Sequence, residues 1–531
     1  MSDNTADKLK NEGNALFAQG KYGTAALKYT EAIELDESNA ILYANRAQCR
    51  LKLEMWVPDM TRCDIECLRR RSAVDLNPAY PKAWARLATA HDALGSYDRS
   101  STQWRRALDA LPGANLTPSE QMQKGEYEAK LKAAEANLKD ALEKLRTPAP
   151  HVALLDGNEE PPWVVGRRLV QGYETARIHS SAFIITEAYV MFKQGLDLTN
   201  SMKQWTDPQT GQLLSEPKLG AIEMITNGIL LDRRAAHDEG RFMELLSIQL
   251  NHECNTFGAW PSDGPDAIMR ELPGRIARDG WPRTQTALSM TLRAWILRGW
   301  LGGINGLGGG HHAEVKFISG ALQVLVWARE TYKDFPTSEK GDILADAFVM
   351  LVRRALLDAL LAAYKEKPSQ DILEDLLEEA EEVMNAASKL DPPRPTDGHG
   401  IGPFIGSYMY PQALAMAAIG FYHVKQAALA TSEADARDHW KKAAVNYKHA
   451  SEELPPDDEI YVWYLHQTLE YMHKAGAPEA AQLPIFNSVR ESVPKAKELW
   501  HASATSKEGM IDLYNMYIDE EAKYRQQGQV A

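Results

Sequence analysis

The chain has 531 residues, 44% of them hydrophobic, enough to bury a large core, and its net charge of -14 argues against a general polyanion binder. Residues 1–146 hold 22 basic and 21 acidic side chains, so the other 37 basic and 52 acidic ones place the acidity in the C-terminal part. Four cysteines, Cys49, Cys63, Cys67 and Cys254, are too few for a disulfide framework and point to a reducing compartment, the cytoplasm. The N-terminus MSDNTADKLK lacks the apolar block of a signal peptide. The longest apolar stretches, such as Ala413 to Val424, fall short of the roughly 20 residues that a bilayer span needs, so neither nucleic acid nor membrane is an expected partner.

In chain order, residues 10–39 carry two apolar stripes of helical period around Gly20 and Lys21. They fit one helix-turn-helix unit of about 34 residues, the tetratricopeptide pattern. Gly13 sits where two helices approach closely, Gly20 and Tyr22 make the turn, and Ala25, Tyr29 and Ala32 pack the second helix. Residues 82–112 repeat the pattern with Trp84, Leu87, Ala88, Gly95, Tyr97, Trp104, Ala107 and Pro112. Between them lies a less regular copy with Tyr43, Ala47, Trp56 and Cys63, whose second helix is about seven residues longer, near the sequence IECLRRR. An insertion of almost two turns lengthens a helix without rotating its buried face. Residues 118–145 then read as a polar capping helix, and a Pro-rich linker covers 146–163.

Beyond the linker the pattern remains helical over about 164–196, 241–257, 283–300, 313–332, 341–365, 370–389, 409–430, 433–453, 458–475 and 494–525. Alternating β patterns are scarce. At 433–476, Ala443, Tyr447, Ala450, Pro455, Leu469 and Gly476 fall near tetratricopeptide offsets, which reads as a diverged repeat. The fold class is therefore all-α: a helical-repeat superhelix over 1–145, followed by an acidic helical domain over 164–531.

Polar residues on the first helices of the stacked units face one groove. When the units are aligned on Gly13, Lys10 and Asn14, then Asn45, then Lys82 and Arg86 fall at offsets differing by three or four, the spacing of one helical face. Two lysines, one arginine and two amides can give charge-assisted hydrogen bonds to carboxylates.

The motifs KNEGN at 10–14, LYANRA at 42–47 and KAWAR at 82–86 make the first 112 residues resemble the carboxylate-clamp domain of tetratricopeptide co-chaperones. The resemblance implies that Lys10, Asn14, Asn45, Lys82 and Arg86 grip the C-terminal Glu-Glu-Val-Asp of heat-shock protein 90 or 70. The longer middle helix departs from the family pattern. The implied role is a co-chaperone or adaptor without catalytic residues, cofactor or metal, whose second domain meets a client. A scaffold for another partner, or an enzyme with its active site in the C-terminal domain, are the alternatives.

Other motifs read as structural. GWLGGINGLGGGHHAEVKF, 299–317, lacks the lysine of a phosphate loop and reads as a flexible interhelical loop. His311 and His312 are adjacent, which on a helix points them about 100° apart and disfavours joint ligation of one metal. His252 and Cys254 lack a second ligand pair at zinc spacing. Cys63 and Cys67, beside Arg62, Arg69, Arg70 and Arg71, read as buried small side chains. The acidic run at 371–390 reads as a solvated helix face, and Asn115-Leu116-Thr117 fits a glycosylation acceptor that a cytosolic chain would not use.

Overall fold

A computed structural model describes residues 3–18, 21–36, 39, 41–42, 45–46, 49, 79–93, 97–112, 116–146, 160–172, 180–206, 213–260, 264–305, 310–335, 341–391, 395 and 400–503. The described residues are helical apart from turns and one short hairpin, which makes the chain all-α, as expected. They divide into two compact units, one of 1–148 with 262–271 and 305–309, the other of 149–261, 272–304 and 310–531. Among them no helix is long and apolar enough to cross a membrane.

In the first unit, α1 (Asp3–Ala18) packs on α2 (Tyr22–Leu35). Gly13 is the reason that they come so close. A Cβ there would lie 2.7 Å from Tyr29 Cε1, so only glycine leaves room for the ring. Ala25, Tyr29, Ala32 and Ile33 of α2 form a core with Leu42, Cys49 and Ala83. The next helix, α3 (Pro81–Ala93), shares its residues between two cores, since Ala83 joins the first while Ala85 and Ala88 join Trp104 and Ala107 of α4 (Tyr97–Asp109). Each helix pair thus buries its stripe against the next, as stacked repeats must. Asp92 ties α3 to α4 by accepting from Ser100 Oγ at 2.6 Å and Trp104 Nε1 at 3.0 Å. The capping helix is α5 (Pro118–Arg146), whose Tyr127 and Ala134 close the second core. Thr117 and Glu120 exchange hydrogen bonds at its start, a capping box written in the chain as Thr-Pro-Ser-Glu. The second helix of the middle repeat, with its extension, Trp56, Cys63, Cys67, Arg62 and Arg69 to Arg71, lies outside the described residues, as do Tyr43, Ala47, Gly20 and Gly95.

The second unit opens with α6 (Pro162–Gly172) and α7 (Ser181–Asn200) where one helix over 164–196 was expected. Ser180 caps α7 by accepting from Ala182 N at 3.1 Å, and it also donates to Asp457. A hairpin that the sequence reading missed follows, with β1 (Lys203–Thr206) antiparallel to β2 (Leu213–Glu216) and Trp205 opposite Leu214. Then come α8 (Ala221–Leu231), α9 (Phe242–Phe257), α10 (Pro265–Asp279), whose residues up to Glu271 belong to the first unit, α11 (Trp281–Asn305), whose last residue does too, α12 (Gly310–Thr331), α13 (Asp346–Glu366) and α14 (Gln370–Ala387). A short helix at Ile401–Phe404 and a π turn at Ile405–Met409 lead into α15 (Tyr410–Leu429). The unit ends with α16 (Glu433–Glu452), α17 (Glu459–Lys474) and α18 (Glu479–Trp500).

The residues expected to form a diverged repeat fall on the pair α16 and α17. Ala443, Tyr447, Ala450 and Leu469 are buried, Trp440 stacks on Tyr471 at 5.3 Å, and Gly476 takes a φ of 73° just past the end of α17. Behind it sits a buried charge centre. Arg234 reaches Asp232 at 2.7 Å, Asp458 at 2.9 Å and Glu459 at 3.3 Å, and its guanidinium lies 3.8 Å from the Trp500 ring.

Candidate functional site

The nominated groove is built from α1, the helical residues after α2, and α3. Lys10 and Asn14 lie one turn apart on α1, and Lys82 and Arg86 one turn apart on α3, so each pair shares a helix face. Asn45 stands between them in helical backbone. Three of the five are joined directly. Arg86 Nη1 donates to Asn45 Oδ1 at 3.3 Å, and Asn45 Nδ2 donates to Asn14 Oδ1 at 3.2 Å. The second donor to Asn14 Oδ1 is the Tyr29 hydroxyl at 2.7 Å.

The other two of the five stand outside this chain of bonds. Lys10 makes a surface pair with Asp7 at 2.5 Å, and Lys82 is exposed. Such an exposed pair contributes about 0.2 to 1 kcal/mol, so it leaves Lys10 available to a better partner. Burial presses the Arg86 guanidinium below its ordinary value and pushes the Tyr29 hydroxyl up to about 12. Tyr29 therefore stays a neutral donor across the physiological range.

Tyr29 is the residue that sequence reasoning undervalued. The helical period assigns it to the core, and it is 2% exposed. Nothing in that pattern marks its hydroxyl as the group that reaches out to the residue following Gly13.

The described parts of the glycine-rich stretch are helical. They form the end of α11 and the start of α12, with only 306–309 between them outside the described residues. Gly303 lets the two helices meet, for a Cβ there would stand 2.2 Å from Glu314 Oε2. His311 Nδ1 lies 2.8 Å from that carboxylate, and Arg233 Nη2 reaches its other oxygen at 3.2 Å. Arg354 and Asp358 line the adjoining pocket, where burial pushes the Asp358 carboxyl up. A histidine and carboxylates do converge here, as the enzyme reading requires. The pocket measures about 20 Å³, room for a water rather than a substrate. His312 points away and is exposed, His252 is half-buried, and Cys254 is buried in the core. Among the described residues no group of three or more histidine, cysteine, aspartate or glutamate side chains is arranged to hold a metal.

Comparison with known proteins finds the following likenesses. Residues 13–53 match the TPR repeat family. Heat shock protein STI1 of Saccharomyces cerevisiae is 33% identical over 117 residues, which is 22% of this chain and 18% of that protein. Small glutamine-rich tetratricopeptide repeat-containing protein 2 of the same yeast is 35% identical over 133 residues, 25% of this chain and 35% of that one. The chain thus spans well under two thirds of the relatives that it matches. Among solved structures, the first TPR of Spaghetti (RPAP3) bound to the HSP90 peptide SRMEEVD is 28% identical over 24% of this chain and 94% of that one, at a TM-score of 0.20.

Proposed function

We propose that the N-terminal region, which belongs to the co-chaperone-like tetratricopeptide-repeat family, docks this chain onto the acidic C-terminal tail of heat-shock protein 90 or 70. The protein is then a co-chaperone or adaptor, in which residues 1–145 form the docking module, 146–163 a linker, and 164–531 the domain that meets a client. Lys10, Asn14, Asn45, Lys82 and Arg86 supply the contacts.

The observation that carries this reading is the direction of the hydrogen-bond chain. Arg86 donates to Asn45, and Asn45 donates to Asn14. Each link spends one donor and one acceptor, and since two lysines, one arginine and two amides start with far more N–H donors than acceptor oxygens, the set is left rich in donors and cations, and a ligand that satisfies it must bring acceptors and negative charge. A peptide's terminal carboxylate beside an acidic side chain is such a ligand, and capture of chain ends is an established recognition mode. Single exposed contacts are weak, so affinity comes from several acting together in a partly desolvated groove, which supports micromolar binding.

The test is fluorescence anisotropy of a labelled peptide ending in Met-Glu-Glu-Val-Asp against the intact chain. Binding is expected, and Lys82→Ala or Arg86→Ala should each cost about 1 to 3 kcal/mol by removing hydrogen bonds to charge. Amidation of the peptide's terminal carboxylate should abolish binding. Undiminished binding of the amide would overturn the proposal.

A further inference from the structure

We infer that Tyr29 is a positioning residue of this groove, whose hydroxyl fixes the orientation of the Asn14 carboxamide so that its NH2 end, not its oxygen, faces an incoming carboxylate. The inference rests on the docking reading above and adds a residue to it.

An amide oxygen has two lone pairs. At Asn14 both are occupied, one by the Tyr29 hydroxyl at 2.7 Å and one by Asn45 Nδ2 at 3.2 Å. Flipping the carboxamide by half a turn would set its NH2 against the Asn45 NH2 and break both bonds to its oxygen, so the observed orientation is the favoured one. Its Nδ2 has no hydrogen-bond partner among the described residues, and Asn14 itself is exposed. That preference depends on three conditions that the fold supplies together. Tyr29 is 2% exposed and so has a fixed ring. Gly13, the residue before Asn14, lets that ring lie against α1, where any Cβ would collide with it at 2.7 Å. The hydroxyl remains protonated, since burial pushes it up to about 12.

Without the hydroxyl, one lone pair of Asn14 is open and the carboxamide rotates between an orientation that donates to a carboxylate and one that repels it. Tyr29→Phe keeps the ring, and hence the packing, while removing only this control. The full-length chain, labelled with 15N at asparagine and read beside Asn14→Ala and Asn45→Ala for assignment, gives the first measurement. In Tyr29→Phe the side-chain NH2 signals of both Asn14 and Asn45 should move, while far-UV circular dichroism stays as in the parent. Signals that stay in place would overturn the inference, whether or not any peptide binds.

The second measurement is affinity for the peptide ending in Met-Glu-Glu-Val-Asp. Tyr29→Phe should weaken it about tenfold, as expected for mis-set hydrogen bonds to a charged group. In the background of Asn14→Ala the same change should have no further effect, because its influence passes through Asn14. Additive losses would show that Tyr29 acts through general packing and would overturn the inference. If the parent chain fails to bind the peptide while the NH2 signals move as stated, the docking reading falls and the orienting role of Tyr29 stands.

Discussion

Alanine at Gly13 should destabilise the chain, against the usual sign for a glycine inside a helix. Helix propensity alone would favour alanine by up to about 1 kcal/mol. Here its Cβ would meet Tyr29 Cε1 at 2.7 Å and Cζ at 2.9 Å, in a ring that is buried on all sides. Forcing the ring aside costs about 1 to 3 kcal/mol as overpacking does, so thermal unfolding of Gly13→Ala should fall below the parent rather than above it. An unchanged or raised midpoint would mean that the two helices part without strain. Four of the five nominated residues could be paired at this scale, because Lys10 and Asn14 sit one turn apart within α1, and Lys82 and Arg86 within α3. The bonds among the five were not legible. Arg86 meets Asn45, and Asn45 meets Asn14, only through the relative placement of three helices, which spacing along the chain does not state.

Among the elements, those with one apolar face were readable, and those buried all round were not. The spans α9, α16 and α17 fall within a residue or two of where periodicity puts them. By contrast Ala221–Leu231 is apolar on nearly every side, so it offers no face to detect, and α8 was missed. The hairpin at 203–216 is four residues a strand, too short for alternation to register. A run of acids can mislead as well. Asp457, Asp458 and Glu459 are three acids in a row, of the type that usually stays in water, yet all three are buried at the start of α17. Asp458 caps the helix by accepting from Ile460 N at 2.7 Å, and Glu459 meets Arg234 at 3.3 Å and Ser503 at 2.5 Å. Burial pushes the Glu459 carboxyl up to about 7, with the Arg234 guanidinium opposing it. An unfolded glutamate titrates near 4.5. Between those values the folded chain holds a proton that the unfolded chain has lost, so this group's contribution to stability declines as pH rises from about 4.5 to about 7. Its share of the slope is at most about 1.4 kcal/mol per pH unit. Glu459→Gln should flatten the dependence of unfolding free energy on pH across that window, measured by denaturant titration at each pH. A parallel curve would place the titrating group elsewhere.

For the whole molecule, charge sets two opposing fields on an acidic peptide. The chain carries -14 overall and repels it, whereas residues 1–146 are close to neutral and offer Lys10, Lys82 and Arg86 at short range. Ionic strength separates the two by distance. At 0.01 M the screening length is about 30 Å, so the charge of the whole chain acts on the peptide, but at 0.1 M it is about 10 Å and the cations in contact with the ligand dominate. Affinity for the Met-Glu-Glu-Val-Asp peptide should therefore change little between about 0.01 and 0.05 M salt, where added ions weaken attraction and repulsion together. From about 0.1 to 0.5 M it should fall several-fold, since only the short-range attraction is left to be screened. Anisotropy titrations over that series would show it. Affinity that rises throughout would mean that repulsion from the acidic part governs binding, and that the cations of α1 and α3 do not hold the ligand.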